Sequence, residues 1–119
     1  MAFNLVYDTT IKTVDDNGIE KNINTQEFKQ ICDSLDTVSL SVPDESTGLN
    51  IYTGNKDFNF VDIVSDQPIT ITIKNDGATF FTGEITKFEC DYSGTNLTID
   101  VTNASGYSAS IQAIISQKS

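Results

Sequence analysis

Ile69-Thr70-Ile71-Thr72-Ile73-Lys74-Asn75-Asp76-Gly77-Ala78 is the stretch on which the fold class turns. Three isoleucines alternate with Thr70, Thr72 and Lys74. A strand sends successive side chains to opposite faces, so this period of two describes a half-buried strand. Asn75-Asp76-Gly77 follows, and these residue types tolerate the positive φ of a tight hairpin turn. Ala78 to Phe88 then returns as the antiparallel partner. Gly83 within it marks either a bulge or a close backbone contact.

The same grammar continues toward the C-terminus. Glu89 to Tyr92 extends the returning strand to a Ser93-Gly94 turn, and Asn96 to Thr102 alternates again with Leu97, Ile99 and Val101 on one face. Ser105-Gly106 turns the chain, and Tyr107, Ala109, Ile111, Ala113 and Ile115 line the last strand. Gln117 to Ser119 reads as a frayed tail.

Toward the N-terminus, Thr37 to Val42 alternates, and Pro43 ends it because proline cannot donate to a ladder. Asp44 to Gly48 is a polar loop, Leu49 to Thr53 a short strand, and Gly54 to Asp57 punctuation. Phe58, Phe60, Ile63 and Val64 form an irregular apolar patch. Phe3 to Val14 is a strand, Asp16-Asn17-Gly18 a turn, and Ile19 to Ile23 the return. Thr25 to Leu35 predicts the one helix, since Phe28, Ile31, Cys32 and Leu35 share a helical face, with Asn24 and Glu27 placed as a capping box. A strand pair is the competing reading of that segment. The expected fold is mainly β: an antiparallel β-sandwich or β-barrel of about seven to eight strands with at most one short helix. Residues 1–119 form a single β-rich domain without an internal repeat.

Charge narrows the function. Seventeen acids against seven bases give a net charge of −10, and the bases are all lysines. Nucleic-acid affinity rests on neutralising phosphates, so specific nucleic-acid binding is not expected, nor is binding to anionic membranes. The start of the chain has no basic segment followed by an apolar core, so synthesis and assembly in a cytoplasm are expected rather than secretion. The acidity itself reads first as a solubility device for a β-rich protein.

Chemistry is scarce. The chain has no histidine, which leaves serine and cysteine without their usual base. Phosphate-cradling glycine loops are missing, so no nucleotide cofactor is expected. Cys32 and Cys90 have no CxxC spacing, which excludes a cysteine zinc site and leaves open whether the two are bridged. Asp15-Asp16-Asn17 and Asp44-Glu45 do not match a calcium loop. Carboxylates are too numerous to single out a catalytic pair. The expectation is no enzyme, with no catalytic, cofactor or metal residues. Phe58, Phe60, Phe80, Phe81 and Glu84 are the candidate interface residues, because exposed aromatics mark protein interfaces and Glu84 follows Gly83 in an otherwise apolar and Thr-rich strand.

Thr37-Val38-Ser39-Leu40-Ser41-Val42-Pro43, Ile69 to Ile73, Phe80-Phe81-Thr82-Gly83-Glu84-Ile85 and Leu97 to Val101, taken together, resemble the β-barrel domains of bacteriophage tail and baseplate hub proteins. The resemblance covers Thr37 to Asn103 and leaves the N-terminal third without a counterpart. It implies a virion structural protein of a tail, baseplate or head-to-tail connector, with copies of itself and other virion proteins as partners in a ring or lattice. It implies no catalytic residue. If such a ring surrounded DNA, an acidic lining would repel phosphate and ease passage. The alternatives are a carbohydrate- or receptor-binding β-module, a capsid decoration protein, and an acidic inhibitor that mimics nucleic acid.

Overall fold

The computed structural model describes residues 3–118. They form nine strands: β1 Phe3–Val14, β2 Glu20–Cys32, β3 Ser34–Val42, β4 Ser46–Thr53, β5 Asp57–Asn75, β6 Ala78–Cys90, β7 Gly94–Thr95, β8 Leu97–Asn103 and β9 Ala109–Lys118. The mainly-β, antiparallel class read from the alternation is the fold observed. The strand count exceeds the seven to eight expected, in part because Gly94 and Thr95, read as turn and link, make a short strand against Asp57 and Phe58.

β5 organises the body. It is 19 residues long and joins what reads in sequence as an irregular patch to the Ile69–Ile73 strand. Its first half, Asp57 to Ser65, pairs with β9, and its second half, Thr70 to Asn75, pairs with β8. Between them the strand bends. Ser65 to Pro68 stand opposite Thr86 alone on β6, since Val64 pairs with Lys87 and Ile69 with Ile85. Pro68 has no N–H to offer a ladder there. Ser65 holds the corner, its hydroxyl donating to the Gln67 carbonyl at 2.6 Å and accepting from the Gln67 N–H at 3.2 Å.

The bend curls the sheet, whose order is β3-β9-β5-β8-β4 with β6 along the other edge of β5. Val61, Ile63, Ile69, Ile71 and Ile73 of β5 point into one core with Leu97, Ile99, Val101, Ile111 and Ile115. β3 and β4 meet as the two ends of this order without a ladder between them. Side chains close the seam instead: Tyr52 on β4 donates to Asp36 on β3 at 2.6 Å, and Asn103 on β8 donates to the Val42 carbonyl on β3 at 3.0 Å. The body is a flattened barrel with one side-chain-bonded seam.

Thr25 to Leu35 is not a helix. β2 runs through Cys32, Asp33 interrupts, and β3 begins at Ser34. Asn24, placed as an N-cap by sequence, is a strand residue. The physical reason is that β1 supplies a complete ladder, with Phe3 paired to Cys32 and Thr10 to Thr25. A helix of this length is marginal without support, and a ladder is the stronger partner. The expected helical stripe is split: Phe28 and Cys32 lie on one face of the ribbon, Ile31 on the other, and Leu35 on β3.

The tail also differs from expectation. Gln117 is buried, and its side chain donates to Asp36 and to the Tyr52 hydroxyl, each at 3.0 Å. Ser119 lies outside the described residues. The Asp44–Gly48 loop is shorter than read, because β4 starts at Ser46 and only Asp44-Glu45 turn, with Glu45 at φ 66. Gly83 carries no bulge. It pairs in register with Ile71, and the ring of Phe81 lies 3.1 Å from where a Cβ would stand.

Ile99→Ala is expected to cost about 2–5 kcal/mol, because Ile99 is fully buried in the core and truncation leaves a cavity. Urea denaturation of the two proteins measures the difference.

Candidate functional site

β1 and β2 form a two-stranded ribbon separate from the barrel sheet. Twelve residues of β1 at about 3.4 Å each make an arm of about 40 Å. The radius of gyration is 15.8 Å. A compact chain of this length would have about 13.5 Å, so the arm projects.

Its tip is well formed. Asp15 Oδ1 accepts from the N–H groups of Asn17 and Ile19, each at 2.9 Å, and Gly18 takes φ 80. Lys12 and Glu20 pair across the ribbon at 2.9 Å. Its root is packed. Tyr7 stacks on Phe28 and lies 4.4 Å from the ring of Phe60 on the outer face of β5. Asn59 donates to the Ile31 carbonyl at 2.6 Å, the Asp33 N–H donates to the Gln117 carbonyl at 2.8 Å, and Cys32 is fully buried. Apolar side chains nevertheless stay exposed along its whole length: Phe3, Val6, Phe28 and Ile31 in the half nearer the root, and Ile11, Val14 and Ile19 toward the tip. An isolated hairpin is only marginally stable in water, and its strand edges are templates for further pairing. This arm keeps both edges open among the described residues.

The residues singled out by sequence fall in four places. Phe58 is in the core, stacked with Phe80 and Tyr92. Phe60 is buried under Tyr7. Neither presents a surface on the single chain. Phe80 and Phe81 are half-buried on β6, Phe80 against Tyr92 at 4.3 Å and Phe81 against Phe88 at 4.6 Å. Glu84 is exposed and lines a shallow groove of about 270 Å³ with Pro68, Ile69, Thr70, Thr102, Ala104 and Ser105. The structure does not bring these five together. The arm was missed because its residues read as a plain hairpin, and exposure is invisible in an alternating pattern. A signal was present: Ile11, Val14 and Ile19 crowd around a polar turn, where a hairpin tip needs no apolar side chains.

The titratable groups with displaced equilibria lie on the body. Burial, then the hydrogen bond to Asp36 and that carboxylate's charge, push the Tyr52 hydroxyl well above its ordinary value, with the Gln117 contact opposing. Burial and the neighbouring Asp91 raise the Cys90 thiol. Cys32 and Cys90 are both free thiols. Burial raises the Asp62 carboxyl, Glu89 adds to the effect and Lys87 opposes it. Asp62 Oδ1 is buried with no donor among the described residues. Among the described residues, no group of three or more acidic or cysteine side chains gathers to hold a metal. No family model, curated protein or solved structure matches this chain.

Two outcomes follow from these groups. Tyr52→Phe removes the hydroxyl that joins Asp36 and Gln117 across the seam, and is expected to cost about 1–3 kcal/mol in urea denaturation. Asp62 holds its proton more tightly in the folded chain, so its contribution to stability is complete below its ordinary value of 3.8 and is lost as pH rises through the folded value. Asp62→Asn is therefore expected to raise the melting temperature at pH 7, with the gain vanishing as pH falls toward 3.8. Equal melting temperatures at pH 7 would contradict it.

Proposed function

We propose that this chain is a structural subunit that works by assembling with copies of itself. The projecting arm carries this reading. It sets exposed apolar side chains and two open strand edges on a ribbon that a lone chain leaves largely uncovered, and such surfaces serve association in stable proteins. The barrel body gives the arm a fixed root through Tyr7, Phe28 and Phe60, so the arm is presented in one direction. Presentation in one direction is what a repeating contact between identical subunits needs.

The setting proposed is a virion, within a bacteriophage tail, baseplate or head-to-tail connector, with other virion proteins as further partners. The resemblance of Thr37 to Asn103 to tail and baseplate hub barrels supports that setting. A tail or baseplate ring also accommodates the arm, which the resemblance itself leaves unassigned.

Charge sets the conditions. Each subunit carries −10, so copies repel at low salt. At 0.15 M salt the screening length is about 8 Å and that repulsion is largely removed. The full chain is expected to associate in sedimentation velocity, more strongly at 300 mM than at 20 mM NaCl, and to show rings or regular arrays by electron microscopy. Replacing residues 9–26 by a short turn is expected to leave a folded monomer with the far-UV spectrum of a β-protein. A full chain that stays monomeric at every concentration and salt would overturn the assembly reading.

A further inference from the structure

The face of the arm that seats Tyr7 and Phe28 on Phe60 continues outward. By the strand register it carries Ile11 and then Lys21, which pairs with Thr13. Ile11 is 55% exposed. Lys12 and Lys29 each face an acid within the arm, Glu20 at 2.9 Å and Glu27 at 3.8 Å. Lys21 is exposed and has no such pair among the described residues. The arm is also the less acidic part of the molecule: residues 3–32 hold three of the seven lysines and five of the seventeen acids.

The body has a matching surface. Phe60, Asp62 and Val64 alternate on the outer face of β5, with Ile114 on β9 paired to Asp62, and Leu35 on β3 paired to Ser116. The arm root covers Phe60 and Ser116, which are buried. Past the root the face is open. Leu35, Ile114 and Val64 are 39%, 36% and 42% exposed and run diagonally across three strands. Asp62 lies among them with a buried oxygen that finds no donor among the described residues. The base beside it, Lys87, is held by Glu89 at 3.9 Å.

One surface thus offers an apolar diagonal and a carboxylate in want of a donor. The other offers an apolar side chain and an unpaired ammonium on the same face. Both continue a packing already made within one chain, ribbon face on outer sheet face. We propose that the outer half of one copy's arm seats on the outer sheet face of a neighbouring copy, with Ile11 against Ile114 and Val64 and Lys21 beside Asp62. This rests on the assembly reading and adds which surface meets which. The apolar contact supplies attraction without direction, and the charge pair sets the register. Because arm and face are different surfaces, the contact is heterologous, and repetition closes a ring or runs on as a filament.

The test uses the full chain. Val64→Glu, Ile114→Glu, Lys21→Glu and Asp62→Lys are each expected to weaken association about tenfold or more in sedimentation velocity, with melting temperatures confirming that each is folded. Lys21→Glu combined with Asp62→Lys is expected to restore association to within about threefold of the parent. Should Asp62→Lys fail to fold, a second measurement decides: Ile11→Cys and Val64→Cys chains, each also carrying Cys90→Ser, are mixed and air-oxidised. A disulfide joining one chain of each kind is expected, and its absence overturns the proposal. Association unchanged by Val64→Glu, Ile114→Glu and Lys21→Glu overturns it too, with the assembly reading intact. A parent chain that never associates overturns both.

Discussion

β5 has to serve both halves of one curled sheet, and the rest of the body follows from how it does so. A straight 19-residue strand would run past any core this chain can build. Instead Ser65 to Pro68 bend it, β9 leaves its side at Ser65 and β8 takes up at Thr70. The inward residues keep their alternation across the corner, from Val61 and Ile63 to Ile69, Ile71 and Ile73, so both halves feed one core. Once the strand bends, the outer strands are carried round until β3 faces β4. There the Tyr52, Asp36 and Gln117 side chains complete what the backbone leaves unpaired.

That closure has a consequence for the arm. The outer face of the first half of β5 is where Phe60 stands, and Phe60 is the anchor for Tyr7. A core residue on one side of the strand and an arm anchor on the other are set by the same alternation. The arm is thereby tied to β5 and β9 at its root. A ribbon fixed at one end and bare at the other is poor economy for a lone protein. It suits the proposed subunit, whose remaining contacts would lie on a neighbour. The proposed contact follows the same logic: the buried Asp62 oxygen, which has no donor among the described residues of the single chain, would gain one from a neighbour.

Alternation and turns were legible in the sequence, and they carried most of the body. The Ile69–Ile73 strand, the Asp76-Gly77 turn with φ 50 and 84, and the Leu97–Val101 strand stand where they were expected. Thr25 to Leu35 was misread because four apolar residues at helical spacing are also compatible with a strand whose faces are both partly apolar. Only β1 beside it decides between the two. Phe58 and Phe60 were read as interface candidates because core and interface aromatics share a composition. Their burial comes from partners distant in sequence, Tyr92 for one and Tyr7 for the other.

Residue order alone specifies a mainly-β, antiparallel chain with an apolar alternation strong enough for one core, and composition gives a net charge of −10 and no histidine. These are properties of local residue order and composition, and they need no knowledge of what lies across the molecule. Long-range contacts are what curl the sheet into a barrel with a side-chain-bonded seam, send the first hairpin away from the body, and leave the apolar residues of its outer half in water. Each of those depends on contacts between residues far apart along the chain, such as Asp36 with Gln117, Tyr52 with Asp36 and Tyr7 with Phe60. A period of two says that a strand has an apolar face. It does not say whether the chain itself supplies the cover.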